Sequence, residues 1–99
     1  MTRKYHIVFK ESASRDIERH KKSGQKKTAD KVLKLIIECV ENPKSGIGKP
    51  EQLKHCAQET WSRRINDKHR LVYEIDDVEN VIFVLSAWGH YDCLSDVVG

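Results

Sequence analysis

Arg64 and Arg70 are the first residues in this chain whose types and spacing could do chemistry. They lie in the run WSRRINDKHRLVY, residues 61–73. Strand-forming residues flank a turn-like Asn66-Asp67-Lys68, which reads as a hairpin with strands at about 60–65 and 69–75. If those three residues form the loop, Ile65 pairs with His69 and Arg64 with Arg70. The two guanidinium groups then share one side of a sheet, while Ile65, Leu71 and Tyr73 point to the other. Like charges directly opposite are unfavourable, so the pair calls for an anion between them. A planar guanidinium suits phosphate, and a phosphate-binding surface is the first expectation.

Two further groups could move protons. His90, followed by Tyr91, comes just after an apolar strand, and an imidazole with its ordinary pKa of about 6.5 exchanges protons near neutrality. A lone histidine at a strand end is more often structural. Glu51 follows Pro50 in the stretch GIGKPEQLKH, between Lys49 and Lys54. Neighbouring cations keep a carboxylate ionised and able to act as a base toward a hydroxyl, although alone such a residue reads equally as half of a surface salt bridge. Metal chemistry finds no H-x-x-H, H-E-x-x-H or paired CxxC spacing. A serine hydrolase lacks its G-x-S-x-G, and Ser62 sits inside a strand.

The elements that must position these groups follow from hydrophobic periodicity. Residues 5–9 alternate, with Tyr5, Ile7 and Phe9 on one side, and predict a first strand. Ser12 is placed to cap a helix that turns Ala13 and Ile17 inward and stops near Gly24. A second helix is predicted over about 28–42, with Leu33, Ile36, Ile37 and Val40 at i, i+3, i+4 and i+7. Asn42-Pro43 ends it, and a Gly/Lys/Pro loop covers 44–50. The hairpin comes next, then an acidic turn at 76–80. The last strand, 81–88, is almost continuously apolar and reads as central, covered on both faces. The order β-α-α-β-β-β predicts an α+β fold: a small, mainly antiparallel sheet with two N-terminal helices on one face. Arg64 and Arg70 belong to the polar face by parity. If the second hairpin also pairs residues of like parity, the even positions of the last strand join them, and His90 too if the strand direction persists past Gly89.

Bulk properties bound the class. Ninety-nine residues, a third of them charged and 38% hydrophobic, suit one globular domain. The N-terminus has no apolar stretch of signal-sequence length, and no segment could span a membrane, so a soluble cytoplasmic protein is expected. Cys39, Cys56 and Cys93 are an odd count at unrelated spacings, which predicts reduced, mostly buried thiols. The net charge of +3 hides an asymmetry: residues 1–34 carry eleven Lys/Arg against four Asp/Glu, and the remainder seven against eleven. Lys21, Lys22, Lys26 and Lys27 surround the break between the helices. Polyanion binding and a merely solvated lysine-rich face fit that pattern equally.

GKPEQLKH, then WSRRINDKHRLVY, then GHY near the C-terminus resembles the YoeB/Txe branch of the RelE-type toxins. The dense part of the match is residues 48–73, with a looser likeness over 7–91. The resemblance implies a metal-independent endoribonuclease, free of cofactors, that enters the ribosomal A site and cuts the mRNA being translated. It implies a cognate antitoxin, the ribosome and mRNA as partners, no membrane, and a free form that is either monomer or homodimer. By position, Glu51 matches the general base, His90 the general acid and Arg70 the arginine that stabilises developing phosphate charge. Arg64 and Lys54 match further basic site residues, and Tyr91 an aromatic that helps hold RNA. Lys49 and Arg63, in the same stretches, complete the expected phosphate-binding set, with Lys21, Lys22, Lys26 and Lys27 as ribosome contacts. Two features depart from the family: the extension over 92–99, and Trp88-Gly89 where some members have Arg-Tyr. The competing readings are a non-catalytic toxin on the same fold and a basic RNA-binding module.

Overall fold

The alternation at the N-terminus and the apolar run near the C-terminus meet in one sheet. In the computed structural model, which describes residues 5–90, the elements are β1 (His6–Phe9), α1 (Glu11–Lys22), α2 (Lys26–Glu41), β2 (Glu51–Gln52), β3 (Thr60–Arg64), β4 (Arg70–Asp76) and β5 (Val81–Ser86). Their order across the sheet is β1-β5-β4-β3-β2. β1 runs parallel to β5, a pairing that requires a crossover, which both helices supply. The other three pairings are antiparallel. Predicted and observed order differ by the two-residue β2, too short for any periodicity to reveal.

The core lies between the helices and one sheet face. Ala13 of α1 and Val32, Leu35, Ile36 and Cys39 of α2 meet Leu71, Tyr73 and Ile75 of β4 and Ile82 and Val84 of β5. Tyr5, Ile7 and Ile17 pack against this cluster as expected, whereas Phe9 is exposed. The buried stripe of α2 keeps the predicted i, i+3, i+4, i+7 spacing but is rotated by about one residue, or 100°. Leu33 and Ile37, expected inside, are 46% and 66% exposed. α2 carries apolar side chains on more than half of its circumference, so two stripes satisfied the same period. The sheet chose the one bearing Leu35 and Cys39.

Three further expectations need correction. α1 begins at Glu11, which puts Ser12 inside the first turn and not at the cap; its hydroxyl instead donates to the Leu85 carbonyl at 2.7 Å. β5 is not covered on both faces: Ile82 and Val84 are buried, while Val81, Phe83 and Leu85 stay half-exposed. Cys39 is a free buried thiol, raised to about 11 chiefly by burial, so it stays protonated. Cys56, half-exposed in the loop after β2, is disulfide-bonded, contrary to the expectation of reduced thiols throughout. The acidic turn formed as read, with Asp76 accepting from the Val78 and Glu79 amides at 3.0 Å. Among the described residues no helix is long and apolar enough to cross a membrane.

The two stripes of α2 are separable by experiment. Leu35→Ala should lower the unfolding free energy by about 2–5 kcal/mol in urea titration, because it opens a cavity in a fully buried site. Ile37→Ala should stay within about 0.5 kcal/mol of the parent.

Candidate functional site

The hairpin formed in the predicted register: Arg64 lies opposite Arg70. The turn closes because the Asn66 side chain accepts from the Lys68 and His69 amides at 2.8 and 2.9 Å. Directly paired residues on neighbouring strands share a face, and that rule places the candidate residues. Glu51 of β2 pairs with Ser62 of β3, Ser62 with Val72 of β4, and Val72 with Ser86 of β5. Glu51, Ser62, Val72 and Ser86 therefore form one row across the sheet. Arg64 and Arg70 lie two residues along β3 and β4, on the same face. Ser62 and Val72 are 1% exposed and make its floor, and Glu51 is exposed at its edge.

Like parity carries over from β4 to β5 only locally. Over most of their length these strands pair residues of unlike parity, Tyr73 with Val84 and Ile75 with Ile82, which sends the even residues of β5 into the core. An irregularity between Val72 and Tyr73 then shifts the register, and Val72 pairs with Ser86. Such a shift re-aims the residues beyond it, here onto the polar face. Past the end of β5 the Arg70 amide donates to the Gly89 carbonyl at 3.1 Å. Gly89 has φ +73°, a left-handed turn that glycine adopts at little steric cost. His90 follows, exposed, in a chain direction set by that turn and not by continued strand alternation.

Electrostatics differ between the two arginines. Arg64 pairs with Asp67 of its own turn, so one of the opposed charges is already met. The Arg70 guanidinium, half-exposed, makes no hydrogen bond or ion pair among the described residues. Glu51 likewise makes no ion pair there, and Lys49 and Lys54 are exposed near it. Arg63 requires correction. It is fully buried on the core side, not presented to a ligand. Its guanidinium donates to the carbonyls of Asn42, Ser45 (2.7 Å) and Ile47 (2.9 Å), and its Nε to the Tyr73 hydroxyl at 3.0 Å. Tyr73 passes the bond on to the Pro43 carbonyl at 2.7 Å, and burial raises its phenol above the ordinary range. Arg63 thus fastens the 42–50 loop that delivers Glu51. Gly48 completes the fastening: its carbonyl accepts from the Arg64 amide at 2.6 Å, and a Cβ there would meet Leu35 at 2.6 Å. The start of the loop is tied outside by Lys44, whose ammonium sits 3.2 Å from Glu59 and 3.3 Å from Asp77.

The basic helix hairpin adjoins the same end of the sheet. Lys21, Lys22, Lys26 and Lys27 are exposed around Gly24. Arg19 lies 3.7 Å from the ring of Trp88, and one pocket is lined by Arg15, Arg19, Lys22 and Trp88. Tyr91 and the 92–99 extension lie outside the described residues. Sequence reasoning missed two histidines beneath Trp88. His20 and His69 meet edge to face at 4.9 Å, with Trp88 tilted over both at 4.7 and 4.3 Å. No periodicity signals such a cluster, since its members come from α1, the hairpin and the end of β5. Among the described residues no three His, Cys, Asp or Glu side chains gather as metal ligands would.

Known proteins share this fold. The family model for the YoeB-like toxin of bacterial type II toxin–antitoxin systems matches residues 9–91. The chain belongs to the YoeB-like toxins. Toxin YoeB of Mycobacterium bovis is 46% identical over 69 residues, 70% of this chain and 79% of the relative. The YoeB dimer from Staphylococcus aureus superposes with a TM-score of 0.75 and 38% identity, covering 89% of this chain and 99% of that one. The YoeB chain of a heterotetrameric YoeB-YefM toxin-antitoxin complex from the same organism gives 0.72 and 39%, over 88% and 98%. The YoeB match spans β2 to β5 and both helices, so it covers every residue placed on the polar face above.

The corrected role of Arg63 gives a direct check. Arg63→Met should cost about 3 kcal/mol or more in denaturant unfolding, because several buried acceptors lose a charged donor together. The loss should persist at high salt, unlike that of a surface ion pair.

Proposed function

We propose that this toxin is a ribosome-dependent endoribonuclease that cuts mRNA in the A site and so stops translation. The observation that carries the reading is the register that sets Glu51, Arg64 and Arg70 on one face with the Gly89 peptide beside Arg70, so that His90 follows at its border. A carboxylate, two guanidinium groups and an imidazole together are what transesterification at a phosphodiester needs, and a passive binder has no use for that combination.

In the proposed reaction Glu51 takes the proton of a ribose 2′-hydroxyl. The freed oxygen attacks the adjacent phosphorus and the bond from phosphorus to the 5′-oxygen breaks. His90 gives its proton to that leaving oxygen. The products are a 2′,3′-cyclic phosphate and a 5′-hydroxyl. Arg70, with Arg64 and Lys54, binds the phosphorane oxygens more tightly than the ground-state diester, worth several kcal/mol in a preorganised site. Arg64 would exchange Asp67 for phosphate as the substrate arrives. The arginines supply the positive charge, so no cofactor has a part in this scheme. Need for the 2′-hydroxyl confines cutting to RNA. Lys49, exposed two residues before Glu51, would add to the phosphate-binding charge, and Tyr91 would steady the RNA beyond His90. Lys21, Lys22, Lys26 and Lys27 grip ribosomal RNA phosphates. A YefM-like antitoxin and a homodimeric free form follow by analogy with the Staphylococcus aureus assemblies. Action in the cytoplasm follows from the proposed ribosomal target, and residues 92–99 are read as a short extension of one toxin domain.

Two measurements test this. In a defined translation reaction with mapped mRNA 5′ ends, cuts should fall within the A-site codon. Glu51→Gln and His90→Gln should each slow them about 100-fold or more, and Arg70→Ala by a similar factor, with ribosome binding retained. Intact message despite ribosome association by the unaltered protein would favour a non-catalytic binder. Replacing the four lysines by serine should weaken ribosome association and flatten its salt dependence, by about 0.7–0.9 in the log–log slope for each phosphate no longer neutralised.

A further inference from the structure

The chain between β5 and His90 is held at four backbone atoms. The Ala87 amide donates to Asp16 at 2.9 Å, and the Ala87 carbonyl lies 2.6 Å from His20 Nε2. The Gly89 carbonyl accepts from the Arg70 amide at 3.1 Å, and the Gly89 amide donates to His69 Nδ1 at 2.9 Å. His20 is 2% exposed and bonded to a carbonyl, so its Nε2 is a donor. His69 is bonded to an amide, so its Nδ1 must keep a free lone pair. Two touching imidazoles are thus fixed in opposite roles.

We propose that His69 is the positioning residue for His90: its Nδ1 holds the Gly89 amide while the Arg70 amide holds the Gly89 carbonyl. The peptides on either side of Gly89 are both fixed, a clamp that sets the direction in which the chain leaves the sheet. His69 immediately precedes Arg70, so one hairpin end carries both the phosphate-facing guanidinium and the clamp that aims the imidazole. The clamp releases on protonation, which places two donors face to face. Burial first, then the charges of His20, Lys68, Arg19 and His90, hold the His69 pKa below its ordinary value. Arg19 and His20 face it from α1, Lys68 and Asp67 from the turn, and His90 from beyond β5. A histidine depressed in this way contributes fully above about pH 6.5, and its contribution falls as pH drops from there toward the folded-state value. His69 therefore keeps the clamp closed throughout the neutral range.

The kinetic part of the test rests on the nuclease reading, and the backbone part does not. His69→Phe keeps a ring against Trp88 but offers no acceptor, whereas His69→Asn places an amide oxygen near the lost Nδ1 and does not titrate. In the translation reaction His69→Phe should lower kcat by up to about 100-fold with KM unchanged, the scale of a misplaced catalytic group. His69→Asn should restore kcat to within a few-fold and remove the acid loss of activity expected in the parent as pH falls through the folded-state His69 pKa, which lies below the ordinary histidine value. Measured by NMR, the exchange protection of the Gly89 amide should fall in His69→Phe, be retained in His69→Asn, and fall in the parent alone on acidification. Parental kcat or parental Gly89 protection in His69→Phe overturns the proposal. If that variant does not fold, an acid limb in His69→Asn identical to the parent's overturns it instead. If the parent cuts no RNA, the nuclease reading fails, and Gly89 protection decides the clamp by itself.

Discussion

A single buried guanidinium organises the polar half of this molecule. Arg63 has no exposed surface, yet it sits on the strand next to the proposed site and draws in three carbonyls of the 42–50 loop and the Tyr73 hydroxyl. A buried charge is tolerated only where its donors are met, and here the loop backbone meets them. The loop in turn cannot move without stranding those donors. Glu51 is therefore held by a side chain that never touches it, through a loop with little regular structure of its own. Cys39 and Tyr73 share the same buried neighbourhood, and both are pushed toward their protonated forms, so Arg63 is the charged member of the group.

The second constraint is the register shift between Val72 and Tyr73. Before it, the even residues of β5 enter the core; after it, Ser86 joins the polar face. Without that extra step the end of β5 would leave the sheet on the helix side. The core and the site thus use the same strand with opposite parity, and a one-residue irregularity reconciles them. Gly89 then turns the chain where a strand could not.

Much of this was legible in the sequence. The hairpin register followed from the turn residues, and with it the facing arginines. The helix pair, the acidic turn and the interior strand followed from periodicity. The face of α2 did not, because seven apolar residues, from Val32 to Val40, crowd its middle turns and the period fits two stripes. Arg63 was legible and misassigned: its parity with Ile65, opposite to that of Arg64, already placed it on the core face, and only its charge spoke for the ligand side. β2 is two residues long, below the reach of any pattern. The His20–His69–Trp88 cluster joins three distant segments, and local rules do not see such contacts. The disulfide at Cys56 was missed because cysteine spacing alone carries no pairing.

The parallel pairing of β1 with β5 has a temporal consequence. Ile7 must find Ile82, its partner in the ladder, across nearly the whole polypeptide. During synthesis the first strand waits, unpaired, until the last one emerges, and loop closure over that distance is slow. The β2–β3–β4 ladder can form locally, but the sheet is complete only when β5 joins β4 and β1. The end of β5 that leads to His90 is thus among the last parts of the polar face to be placed.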